Sequence, residues 1–144
     1  MKPESNKPFR QLLLSADHNL DLGDWTLDST SLGSDSATRF RITKTKLHGG
    51  RQAGVDLIQI ETGFLTVQVI PTRGMGIRSV ASPQLRLGWD SPIRQTVHPQ
   101  FVRLESRGGL GWLEGFNEWL VRCGLGIRRR TGTGPVRHQH RRSR

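Results

Sequence analysis

The chain has 144 residues, a hydrophobic share of 33% and a formal net charge of +10. That length suits one domain, and apolar usage below the ordinary ~45–50% leaves a thin core for it. A single cysteine, Cys123, excludes an internal disulfide and a cysteine-rich zinc site, and Leu12-Leu13-Leu14 is far too short for a signal-peptide core or a spanning helix. A soluble, cytoplasmic product with no membrane association is expected.

The charge is unevenly placed. Arginines 128, 129, 130, 137, 141, 142 and 144 carry seven of the net positive charges in a tail with no acid, leaving +3 on the rest. Such a tail could bind nucleic acid or another anionic surface by charge alone. It lacks interleaved aromatic residues for base stacking, which makes nucleic acid the weaker partner.

In chain order, residues up to Pro8 are polar and charged. Phe9 to Leu14, with Leu20 and Leu22, predict a short amphipathic helix interrupted by Asp17, His18 and Asn19. Trp25 and Leu27 lie one strand period apart, and the serine-rich run from Asp28 to Ala37 reads as a loop. Phe40 and Ile42 alternate with polar residues up to a break at Gly49-Gly50. Val55 to Glu61 and Phe64 to Ile70 then read as a hairpin across Thr62-Gly63.

At Pro71-Thr72-Arg73-Gly74-Met75-Gly76 the alternation stops, because proline cannot donate to a sheet ladder. The two glycines are expected to supply backbone angles closed to other residues. A second alternating run, Ile77 to Val80, leads to Leu85, Leu87 and Gly88-Trp89-Asp90-Ser91-Pro92. Strands about ten residues apart with turn signals between them argue for a sandwich rather than a βαβ sheet. Further on, Trp112 to Cys123 has apolar residues at three- and four-residue steps, while Leu120 to Leu125 alternates. A short helical turn followed by a strand is expected there.

Four segments carry a resemblance: the Pro71–Gly76 elbow, Gly88-Trp89-Asp90-Ser91-Pro92, Val97-His98-Pro99, and Gly109-Leu110-Gly111-Trp112-Leu113-Glu114-Gly115-Phe116 with Arg122-Cys123-Gly124-Leu125. In this order they resemble aldose 1-epimerase-like proteins of the galactose mutarotase superfamily, of the domain-of-unknown-function 4432 type, over residues of about 50 to 125. The resemblance implies a mainly β fold, the N-terminal part of a galactose-mutarotase-like β-sandwich. Residues 1–37 would precede it as a segment and loop, residues 38–125 would form the incomplete sandwich, and residues 126–144 would be a disordered basic tail. Unpaired strand edges would favour self-association.

Mutarotation needs a base at the anomeric hydroxyl and an acid at the ring oxygen. The resemblance assigns both to segments following those matched here, so carbohydrate binding without catalysis is expected, or no function at all. Candidate sugar-binding residues are Arg73, Trp89, Asp90, His98, Trp112, Glu118 and Arg122. Arg73 offers forked donors and the two tryptophans offer flat apolar faces. Each has a plainer role: solvated turn arginine, core aromatic, turn residues at Asp90 and His98, and a helical Glu118–Arg122 ion pair. No catalytic residue or cofactor is expected, and no metal either, since His18, His48 and His98 lack ligand spacing and His138 with His140 is only a short pair in a basic tail.

From Gly126 onward the composition cannot bury a core. The string Gly126-Ile127-Arg128-Arg129-Arg130-Thr131-Gly132 can be encoded GGA ATC CGA CGG CGC ACC GGN. One nucleotide later this reads E-S-D-G-A-P, the continuation that the resemblance implies after the RCGL segment. The tail is therefore expected to be read out of frame. Genomic DNA should show an open plus-one frame downstream of the Leu125 codon that encodes a histidine and a glutamate. An early stop in that frame would make the basic tail a functional element.

Overall fold

The computed structural model describes residues 9–32 and 39–120. Two short strands, β1 (Leu14–Ser15) and β2 (Leu20–Asp21), pair antiparallel as a small hairpin. This replaces the helix expected over Phe9–Leu14. Three leucines give too little length to nucleate a helix, whereas the polar residues after them close a turn. Asn19 takes the left-handed conformation at φ 46°, its N–H donates to the Ala16 carbonyl at 3.1 Å, and His18 N–H donates to Ser15 Oγ at 3.2 Å.

The main sheet has six strands in sequence order: β3 (Trp25–Asp28), β4 (Arg41–Lys46), β5 (Asp56–Glu61), β6 (Thr66–Ile70), β7 (Gly76–Ala81) and β8 (Arg86–Gly88). Every neighbouring pair is antiparallel. The alternation sets the register. Leu27, Ile42, Ile60, Val67, Val80 and Leu87 stand opposite one another in a row across all six strands. On the other face, Gln59, Gln68 and Ser79 form a polar row. There Gln68 Nε2 donates to Gln59 Oε1 at 2.9 Å, and Arg78 Nη1 and Ser79 Oγ donate to Gln68 Oε1. The architecture is mainly β, two sheets resembling a partial β-sandwich. The tail expected to be disordered lies outside the described residues.

The fully buried apolar side chains among the described residues are Val55, Ile70 and Val97. Ile70 ends β6 just before the Pro71 elbow and Val55 precedes Asp56, whose N–H is held by Thr72 of that elbow, while Val97 lies beside Gly115. Lys44 is 0% exposed. Its Nζ lies 2.7 Å from Asp21 Oδ1 and 3.1 Å from Asp56 Oδ1, and donates to the Gly23 carbonyl at 2.8 Å. Lys46 adds a second ion pair to Asp21. The β1–β2 hairpin is thereby tied to the main sheet through charge. Burial pushes against the Lys44 charge, but the bonds to Asp21 and Asp56 prevail and hold its pKa above the usual lysine value. Hydrogen bonds from Lys44 and Lys46 hold Asp21 well below the usual carboxylate range.

The signs give a pH window. The Asp21 contribution is complete above its unfolded pKa, about 3.9, and is lost as pH falls through the lower folded value. The Lys44 contribution is complete below about 10.4 and is lost as pH rises through the higher folded value. Lys44→Ala should cost about 3 kcal/mol, because it leaves buried Asp56 with only the longer 3.8 Å pair to Lys46. Asp21→Asn should flatten the acid limb of stability against pH. Urea midpoints of both variants, followed from about pH 7 down to about pH 3 so as to cross the unfolded aspartate pKa, check this.

Candidate functional site

The elbow is a single tight turn, Pro71–Arg73, closed by Gly74 N–H on the Pro71 carbonyl at 2.9 Å. Gly74 at φ 64° and Met75 at φ 64° are successive left-handed residues that throw the chain back into β7. Thr72 pins the turn to the sheet: its Oγ1 accepts from Asp56 N–H at 2.8 Å and donates to Asp56 Oδ2 at 3.2 Å. Gly74 thus serves as expected. Gly76 does not, because its backbone is not left-handed. It is needed for space: a Cβ there would stand 2.6–2.8 Å from the Glu118 carboxylate.

From this elbow Arg73 reaches the segment that follows Trp112. Its Nε lies 2.9 Å from Glu118 Oε1, and its Nη1 donates to the Gly115 carbonyl at 2.6 Å and to Asn117 Oδ1 at 3.3 Å. The two charged side chains are 13% and 9% exposed, so the pair is mostly out of water. Trp119 N–H donates to the Ile77 carbonyl at 2.8 Å, fastening the same segment to β7. Buried Asn117 donates to the Gln95 carbonyl at 2.9 Å, and Ser91 Oγ donates to the Phe116 carbonyl at 2.8 Å. Phe116 lies between two tryptophans, with ring centroids 5.0 Å from Trp89 and 5.3 Å from Trp112. The motif segments distant in sequence therefore meet at Gly115–Trp119.

A hollow of about 340 Å³ opens here, lined by Arg73, Trp112, Phe116 and Glu118 with Pro99, Val102 and Leu104. Three of the expected site residues, Arg73, Trp112 and Glu118, are brought together. Trp89 is not among them and lines a separate hollow with Arg51 and Arg107. Asp90 makes an exposed ion pair with Arg94 at 3.5 Å, and such surface pairs contribute little. His98 has the turn role: its Nδ1 accepts from Gln100 N–H at 3.2 Å, its N–H donates to the Arg51 carbonyl, and Pro99–Phe101 follows as a tight turn. A wider opening, about 940 Å³ between Asp28, Arg39, Phe64 and Pro83, holds none of the expected site residues.

The expected helical turn is present at Gly111–Glu114. The chain is not helical at Glu118, so the spacing argument for a Glu118–Arg122 pair does not apply. Arg122, Cys123 and the expected strand over Leu120–Leu125 lie, beyond Leu120, outside the described residues. Sequence reasoning missed Asn117, Arg51 and Arg107, for which no spacing signal exists. Among the described residues no group of three histidine, cysteine, aspartate or glutamate side chains could hold a metal ion. None of the helices there is long and apolar enough to cross a membrane.

This constellation on an antiparallel sheet has a family. Residues 52–139 match DUF4432, a domain of unknown function, and the chain belongs to that family. The match runs past Leu125 into the basic tail. The chain is also similar to the crystal structure of a "putative aldose 1-epimerase" from Klebsiella pneumoniae, at 43% identity and a TM-score of 0.70. The likeness covers 74% of this chain and 28% of that one, placing the protein in the aldose 1-epimerase-like part of the galactose mutarotase superfamily. No curated protein matches it.

The close approach at Gly76 yields a test. Gly76→Ala should displace the Glu118 carboxylate from Arg73 and destabilise the fold by about 1–3 kcal/mol, the usual penalty of overpacking. Gly88→Ala, whose added Cβ would meet its nearest neighbour at an ordinary 3.4 Å, should cost less. Thermal melts of the two variants compare them.

Proposed function

We propose that this chain is a carbohydrate-binding member of its family that holds a monosaccharide in the Arg73 hollow without epimerising it. One observation carries the reading: a desolvated Arg73–Glu118 pair stands against the aromatic walls of Trp112 and Phe116 in a single hollow. Sugars need both kinds of surface, polar atoms in fixed directions for hydroxyls and flat apolar faces for ring C–H groups. The similarity to an aldose 1-epimerase-like structure supports the same ligand class.

Binding without turnover follows from the chemistry of the lining. Epimerisation requires two proton-transfer groups with separate roles. Of the residues lining the hollow, Glu118 is the sole carboxylate and it is engaged by Arg73. The guanidinium beside it is a fixed donor. The arginine tail lies outside the described residues, so nothing in the geometry favours nucleic acid. Self-association has a candidate surface in β8, which pairs only with β7 among the described residues and carries exposed Leu87 beside exposed Leu85.

Polarimetry on glucose and galactose should show no acceleration of mutarotation over buffer. Saturation-transfer NMR should detect weak binding of the same sugars, and Trp112→Ala should reduce it about tenfold, the equivalent of ~1.4 kcal/mol. Catalysed mutarotation, or a Trp112→Ala variant that folds and binds unchanged, contradicts the reading.

A further inference from the structure

The hollow that takes Trp89 is lined by Arg51, Trp89, Pro92, Ile93, Arg107, Leu113 and Glu114, with a volume of about 390 Å³. Phe116 packs against the Trp89 ring, yet Trp89 remains 40% exposed. Two arginines, Arg51 and Arg107, line this space with it. Among the described residues neither Arg51 nor Arg107 forms an ion pair; the Arg51 guanidinium makes one long bond, 3.4 Å, to the Phe101 carbonyl. Glu114, also in the lining, accepts from Ser106 Oγ at 3.4 Å. The charged residues of the lining sum to a net positive charge, and the guanidinium forks are the donors best matched to a phosphoryl group.

The backbone adds an independent observation. Arg107, Gly108 and Gly109 all have positive φ, at 54°, 67° and 91°. Two of the three left-handed positions are filled by glycine, which takes that conformation without steric cost. The third holds an arginine, which takes it under strain, and that arginine lines the hollow. Backbone strain of this kind clusters at active sites and ligand clamps.

We infer that this second hollow is a binding site for a phosphorylated monosaccharide, with the sugar ring over Trp89 and the phosphoryl oxygens between Arg51 and Arg107. It does not rest on the Arg73 hollow: the two share no lining residue. Recognition needs both halves of the ligand, because an aromatic face alone holds a sugar weakly and two solvated arginines alone hold phosphate weakly.

The experiment is isothermal titration of the full chain at low salt with glucose 6-phosphate, glucose, inorganic phosphate and adenosine monophosphate. Glucose 6-phosphate should bind at least about tenfold more tightly than each of the other three. Arg107→Gly is the informative variant, since it removes the guanidinium and relieves the left-handed strain, so its urea midpoint should stay level or rise. It should weaken glucose 6-phosphate binding about tenfold or more and leave glucose binding in the Arg73 hollow unchanged. Arg51→Gln should weaken it in the same direction. Wild-type affinity in Arg107→Gly overturns the assignment. So does glucose 6-phosphate binding no tighter than phosphate alone, or adenosine monophosphate binding more tightly than the sugar phosphate.

Discussion

The contact on which the rest of the structure depends is the insertion of Arg73 between Gly115, Asn117 and Glu118. A guanidinium leaving water needs partners for its donors, and here one carboxylate, one carbonyl and one amide oxygen meet its Nε and Nη1 groups. The consequence reaches beyond one ion pair. The segment it captures also supplies Phe116 to the two tryptophans, Asn117 to the Gln95 carbonyl and Trp119 N–H to β7. The irregular stretch after β8 has no strand of its own among the described residues up to Leu120, and these polar anchors hold it.

That reliance on polar anchoring follows from the thinness of the core. The three fully buried apolar side chains among the described residues, Val55, Ile70 and Val97, cannot by themselves fix the position of the segments around them. Ionic connections take over on both sides of the elbow. Lys44 joins the β1–β2 hairpin to the sheet, and Arg73 joins the Gly115–Trp119 segment to it. Thr72 and Asp56 connect the two systems, since Asp56 contacts Lys44 with one oxygen and Thr72 with the other. Elements joined in this way are sensitive to pH and to the loss of a single partner, because a buried charge without its counterion is costly.

The two hollows lie on either side of Phe116. Arg73 and Glu118 face the Trp112 side of Phe116, whereas Arg51 and Arg107 share the hollow on the Trp89 side. Phe116 lines the first hollow and packs against Trp89, which lines the second, so the two hollows are neighbours that share no lining residue. One hollow presents a compensated charge pair and the other an excess of positive charge. That difference is the physical basis for assigning them different ligands.

Much of the sheet was legible in the sequence because strand periodicity is local. Alternation in Trp25–Leu27, Phe40–Ile42, Val55–Glu61, Leu65–Val69 and Ile77–Val80 places all but the last short strand, and glycine and proline mark the turns. The Phe9–Leu14 helix failed for a local reason as well, the turn preference of Asp17, His18 and Asn19 outweighing three leucines. The elbow, the aromatic segments and the family they indicate were equally visible as motifs. What the sequence could not decide was which charged and aromatic groups meet. Arg73 and Glu118 are 45 residues apart and Arg51 and Arg107 are 56 apart, and no periodicity relates residues at such distances. Those pairings, the need for Gly76 to make room for a carboxylate, and the separation of Trp89 from Trp112 by Phe116 were decided by tertiary packing alone. Hydrophobic alternation specifies a strand and its buried face, but only the closing of the chain on itself determines which polar groups leave water together.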